Sequence, residues 1–120
     1  MLTIKPPTQC HLWGQENIDP INLDMNLLKV FVRSAHLERD LQQCRKCGQL
    51  YFHEWYEHLS FKHDDDTYDT YIPIQSEEDA SELLEAKTSA DLVKYVPQLH
   101  GSYTNNHNDA LSWRLEAPKG

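Results

Sequence analysis

The chain reads as a small α+β domain, an antiparallel hairpin or sheet with flanking helices around a metal-binding knuckle. Three observations predict this. An aromatic-rich run fills residues 49–56, capping residues precede apolar residues at helical spacing in 19–41 and 76–96, and Cys44-Arg45-Lys46-Cys47 is followed directly by Gly48. A length of 120 residues is that of one ordinary domain, and twelve aromatic residues offset a modest hydrophobic share of 39%. A single domain over residues 1–120 is expected.

Residues 1–18 read as an irregular N-terminal arm, with Pro6-Pro7 and an isolated Cys10-His11. Asp19-Pro20 looks like a helix start, a capping carboxylate followed by proline at the first helical position. Leu23, Leu27, Val30 or Phe31, and Ser34 follow at helical spacing, and Leu37 and Leu41 continue the stripe, so a helix is expected. The β-prone run Val30-Phe31-Val32 offers a short strand as the alternative. Gly48 stands where the chain commonly needs a left-handed backbone. Residues 49–56 then predict a strand, although Phe52, Trp55, Tyr56 and Leu59 also share a helical face. Tyr68, Thr70, Ile72 and Ile74 alternate, which predicts a second strand over 68–74, paired with the first as an antiparallel hairpin. Pro73 places that strand at an edge. Ser76-Glu77-Glu78-Asp79 opens a helix, with Ala80, Leu83 and Leu84 as its buried face. Thr88 or Ser89 starts a second short helix through Val96, stopped by Pro97. Residues 100–109 read as a polar loop and 110–115 as a final strand. The order is thus αββααβ, with the knuckle and hairpin at 44–74 and an acidic helical segment at 76–96.

Two thiolates separated by two residues can grip one metal from a tight turn, and Zn²⁺ completes a tetrahedron with two further Cys or His ligands. Cys44 and Cys47 fit that role, and a structural Zn²⁺ is expected there. A thiol redox pair is the competing reading, but the helix N-terminus and βαβ context that activate one are not evident. The other half of the site has two solutions. One recruits Cys10 with His11 or His36. The other uses His58 and His63, giving Cys-x2-Cys-x10-His-x4-His, shorter between its pairs than the usual finger spacing of about 12. The strand-like run after Gly48 favours Cys10. His53-Glu54 with His58 misses metalloprotease spacing by one residue, and Asp64, Asp65 and Asp66 lack the glycine and distal glutamate of a calcium loop. No phosphate loop or nucleophile elbow is present, so no enzymatic activity is expected.

The formal net charge is −8, concentrated at 54–91, where twelve acids face only Lys62 and Lys87. Such a field repels phosphate backbones and attracts basic partners, although a solvated acidic face is the plainer explanation. No apolar run reaches the ~20 residues of a membrane span, and the N-terminus lacks the pattern of a signal peptide. Three cysteines, an odd number, suit metal ligation better than a disulfide framework, so a cytoplasmic location is expected.

Residues 37–52, ending in Cys44-Arg45-Lys46-Cys47-Gly48-Gln49-Leu50-Tyr51-Phe52, resemble a family of small uncharacterised bacterial proteins. Their hallmark is a Cys-x-x-Cys-Gly-Gln-Leu-Tyr-Phe stretch, then aromatic and acidic residues, then Tyr-Ile-Pro; Tyr71-Ile72-Pro73 stands in the corresponding place. The resemblance covers residues 36–80 and implies a zinc knuckle and a bacterial origin, with no activity attached. It also implies positions matching His58 and His63 that are not consistently histidine, which weakens the finger arrangement.

Together these features predict a non-enzymatic protein-binding module, an immunity or antitoxin-like inhibitor of a basic partner such as a nuclease toxin. Asp64, Asp65, Asp66, Asp69, Glu77, Glu78, Trp55 and Tyr68 would form the partner-binding surface. The rival readings are a nucleic-acid-binding zinc finger, supported by Arg39, Arg45 and Lys46 but opposed by the acidity, and a scaffold subunit that pairs through a sheet edge.

Overall fold

Aromatic and β-branched residues crowd two central strands, 50–58 and 66–74, of the computed structural model, which describes residues 2–59, 66–104 and 107–117. The strands are β1 (Met25–Arg33), β2 (Leu37–Cys44), β3 (Leu50–His58), β4 (Asp66–Ile74), β5 (Gln98–Thr104), β6 (His107–Asn108) and β7 (Ser112–Arg114). They form one seven-stranded sheet in the order β1-β2-β3-β4-β5-β6, with β7 also paired to β5, and every pairing is antiparallel. Among the described residues, helix is confined to α1 (Asp79–Leu83) and two 3-10 turns, Pro20–Asn22 and Ser89–Leu92. The protein is therefore mostly β, and the expected α+β domain with flanking helices is corrected.

The largest departure lies at 19–41. Asp19 does cap, accepting a bond from the Ile21 amide at 3.0 Å, but Leu23 is already extended and the helix ends after three residues. The stretch Val30-Phe31-Val32 prevails, so β1 and β2 form a hairpin in place of one helix. Its turn is closed by the Ser34 amide donating to the Leu37 carbonyl at 2.8 Å. β1 is an edge strand broken by two register shifts, between Leu27 and Lys29 and between Val30 and Val32. Such irregularities discourage pairing with a further strand.

The expected β3–β4 hairpin forms, Leu50 opposite Ile74 through His58 opposite Asp66. β4 is nevertheless internal, because β5 pairs its other side from Thr67 to Tyr71. Pro73 is tolerated since that pairing stops at Tyr71, so Pro73 pairs with β3 alone. Residues 98–104 are β5, so the polar loop expected at 100–109 is also corrected, whereas the final strand is present as β7.

Both faces of the sheet are covered, which explains the aromatic density of β3. On one face Tyr51, Tyr71 and Leu99 pack with Cys10, Leu12, Ile18, Cys44 and Leu111. The cover here is irregular chain, the N-terminal arm, docked by reciprocal backbone bonds between Ile18 and Leu111 of 2.8 and 2.7 Å. The indole Nε1 of Trp113 also donates to the Leu12 carbonyl at 2.9 Å. On the other face Phe52, Ile72, Leu41 and Ile74 pack with Ala80, Leu83 and Leu92 of the 79–92 segment. Buried Arg39 ties that segment down, donating through Nε to Glu54 at 2.9 Å and through Nη1 to the Ala86 carbonyl at 2.6 Å. Thr88 and Asp91 form a capping box at the second 3-10 turn. The two helices expected across 76–96 thus shrink to one short helix and one turn.

Candidate metal centre

The β2–β3 turn builds half of the site. The Cys44 amide donates to Gln49 and the Gly48 amide back to Cys44, and Gly48 sits at φ +84°, the left-handed backbone that a side chain would strain. This tight turn holds Cys44 buried and Cys47 half-buried at the end of the sheet. The N-terminal arm brings the other half. Its turns between Pro6 and Gln15 present Cys10 and His11, with Leu12 anchored in the core alongside.

Ligand atoms of Cys10, His11 and Cys44 all lie within 4.8 Å of one another, and Cys44 Sγ is 3.8 Å from His11 Nδ1. Tetrahedral Zn–S bonds of about 2.3 Å place neighbouring ligand atoms about 3.7 Å apart, so small adjustments close the set around one ion. Cys47 packs against the same core, beside this group of three. The Tyr51 hydroxyl donates to Cys10 Sγ at 3.1 Å. Its phenol is pushed strongly up, first by burial and then by the bond to Cys10 and by the Cys47 and Cys44 sulfurs, so it remains a donor to a sulfur ligand. The cysteine and histidine side chains can therefore hold a metal ion, and a mixed sulfur–nitrogen donor set is of the soft type that transition metals take.

His36 and His58 do not join them. The exposed His36 lies across the β1–β2 turn and pairs through Nδ1 with Glu57 at 2.9 Å. His58 ends β3, eight residues from Leu50 or roughly 26 Å at 3.3 Å per residue. His63, with Asp64 and Asp65, lies outside the described residues. The finger arrangement therefore has no geometric support among the described residues, while the recruitment of Cys10 and His11 has it.

The acidic residues expected to meet a partner are scattered. Asp66 and Glu77 flank opposite ends of β4, a nine-residue strand roughly 26 Å long. Exposed Glu77 pairs with Lys29 at 3.4 Å, Glu78 is exposed, and Trp55 and Tyr68 are half-buried. Tyr68 stacks between Tyr56 and His100, with ring centroids 6.3 and 6.2 Å away.

Asp69 belongs instead to a group that sequence reasoning missed. His53, 6% exposed, points Nδ1 at Asp40 at 3.1 Å and Nε2 at Asp69 at 2.7 Å, and stacks on Tyr71 at 4.5 Å. Burial opposes its charge, but the bonds to both carboxylates outweigh burial and raise it to about 9. Asp40, 1% exposed, is held below the usual carboxylate range: burial opposes this, and the His53 bond and charge overcome it. Only the pairing register Asp40–His53–Tyr71 brings these residues together, and no local spacing signals it.

Comparison with protein-family models, with curated proteins and with solved structures finds no match to this chain. No helix is long and apolar enough to cross a membrane among the described residues.

Proposed function

We propose that this protein is a zinc-stapled, non-catalytic binding module in which Cys10, His11, Cys44 and Cys47 hold one structural Zn²⁺. The observation that carries the reading is the convergence of Cys10, His11 and Cys44 within 4.8 Å, two of them buried, from segments far apart in sequence. Zinc suits a closed set of cysteine and histidine with no position left for substrate, which is the structural arrangement. The partner that fits is a basic protein, supported by the net charge of −8. An immunity or antitoxin-like inhibitor of a basic nuclease is the particular form we favour, and charge is its only support.

Native mass spectrometry of the full chain, with and without a chelator, tests the metal. One zinc per chain is expected in the wild type, lost in Cys10→Ser and in His11→Ala. Zinc retained at full occupancy in both variants overturns the ligand assignment. For the partner, binding that does not weaken between about 0.05 and 0.5 M salt sinks the electrostatic reading.

A further inference from the structure

Cys10 and Cys44 are two free thiols whose sulfurs lie within 4.8 Å of each other. One sits on the N-terminal arm and the other at the end of β2, so only the fold brings them together. Both are buried, at 3% and 1% exposure, and the Tyr51 hydroxyl holds Cys10 Sγ with a bond of 3.1 Å. A disulfide needs its sulfurs about 2.05 Å apart, so closing this pair takes a movement of under ~3 Å shared by two side chains. Rotation about χ1 moves a sulfur on that scale, and the irregular backbone of the arm can follow. Cys47, the partner that sequence spacing would choose for Cys44, does not belong to the group of three.

We propose that Cys10 and Cys44 form a reversible disulfide, an oxidisable clamp that fastens the arm to the sheet when the metal is absent. The reagent is a hydroperoxide, which meets Cys10 when the arm opens. The Cys10 thiolate attacks one peroxide oxygen, the O–O bond breaks, and the departing oxygen leaves as water or an alcohol after taking up a proton. Cys10 is then a sulfenic acid. As the arm docks again, the Cys44 thiolate attacks the Cys10 sulfur, the S–O bond breaks and hydroxide leaves, protonated to water. Two thiols give up two electrons in all, and one hydroperoxide takes them. The metal and the disulfide use the same two sulfurs, so each excludes the other, and a bound ion protects the pair. The proposal rests on the convergence of Cys10 and Cys44 that also carries the zinc reading, but it does not require that an ion bind.

The test is oxidation of the full chain by hydrogen peroxide, both as purified and after reduction and chelation, followed by alkylation, trypsin digestion and mass spectrometry. Cleavage after Lys29, Arg39, Arg45 and Lys46 puts the three cysteines on three separate peptides, so each pairing gives its own cross-link. The Cys10–Cys44 cross-link is expected to dominate in the folded chain, to be lost on treatment with dithiothreitol, and to persist in Cys47→Ser. It should form several-fold more slowly in zinc-loaded protein. In the chain unfolded by guanidinium chloride, Cys44–Cys47 is expected instead, since the shorter loop closes more readily. Cys44–Cys47 as the main cross-link of the folded chain, the same mixture folded and unfolded, sulfenic acid without a cross-link, or equal rates with and without bound zinc overturns the proposal. A chain that joins Cys10 to Cys44 yet binds no zinc in native mass spectrometry refutes the metal reading alone. A chain that binds zinc through Cys10 and Cys44 yet never joins them refutes the disulfide alone.

Discussion

Replacing His53 by glutamine removes a buried cation held between two carboxylates, and the cost of doing so depends on pH. In the folded protein His53 titrates at about 9, against 6.5 for an ordinary histidine. Below pH 6.5 the ring is charged in both folded and unfolded chains, and the attraction to Asp40 and Asp69 is fully present. Between 6.5 and 9 only the folded protein keeps the proton, so stability falls as pH rises through this window. At 1.36 kcal/mol per unit, the window is worth about 3 kcal/mol. The interaction is shared with Asp40, so it is counted once. Glutamine leaves the Asp40 carboxylate buried without a counter-ion, a loss of about 3–5 kcal/mol where the pair is fully formed. Urea unfolding of wild type and His53→Gln at about pH 6, 7.5 and 9.5 measures this. The expected result is a gap that is widest at the lowest pH and narrows by about 3 kcal/mol at the highest. Metal thiolates would strengthen with rising pH in both proteins, so they cancel in the comparison. Parallel stability curves across the whole range would refute the reasoning, since His53 would then titrate alike in the folded and unfolded chains.

Two further substitutions probe the core on the face opposite the metal centre and the knuckle turn itself. Phe52→Ala empties a fully buried site between the sheet and the 79–92 segment, and a loss of about 3–5 kcal/mol is expected in urea unfolding. Gly48→Ala forces a side chain into the left-handed backbone at φ +84° in the knuckle turn. A loss of about 1–2 kcal/mol is expected, with the new methyl in ordinary contact with Gln43 Nε2 at 3.9 Å and zinc affinity falling alongside if the turn sets the angle between Cys44 and Cys47.

The β3–β4 hairpin is legible in the sequence because Tyr68, Thr70, Ile72 and Ile74 alternate and only one face of that alternation needs reading. The first helix misleads for a specific reason. Asp19 and Pro20 form a true cap, but the cap signal says nothing about how far a helix runs, and Val30-Phe31-Val32 outweighs the weak 3–4 spacing downstream. Residues 76–96 mislead differently. Leu83 and Leu92 both enter the core of one sheet face, yet a straight helix would set them roughly 180° apart at 100° per residue. The chain must bend between them, and a short helix followed by a 3-10 turn does so. Cys44 and Cys47 declare themselves by spacing, while Cys10 and His11 are reached only through the docking of an arm with no regular structure. His53 is harder still, because its partners Asp40 and Asp69 come from two other strands.

That arm explains why a metal would be useful here. The face of the sheet covered by the 79–92 segment has a helix, a capping box and a buried ion pair to hold its cover. The opposite face is covered by irregular chain, attached by one bridge at Ile18 and Leu111, the Trp113 bond, the Tyr51–Cys10 and Gln9–Gln49 side-chain bonds and the packing of Cys10 and Leu12. Irregular cover opens locally at little cost, since few cooperative backbone bonds oppose it. An ion joining His11 to Cys44 would close a loop of 33 residues, which in a chain-entropy account is worth about 4 kcal/mol. That is enough to convert a fraying arm into a fixed layer. The same clamp fixes the entry to residues 20–25, which lead into β1. Removing the metal should therefore speed amide hydrogen exchange at Trp13 and Ile18 of the arm while the sheet itself, held by β2, β3 and β4, stays folded. Unchanged exchange at these amides in the chelated protein would show that the arm docks without the ion and that the clamp is redundant.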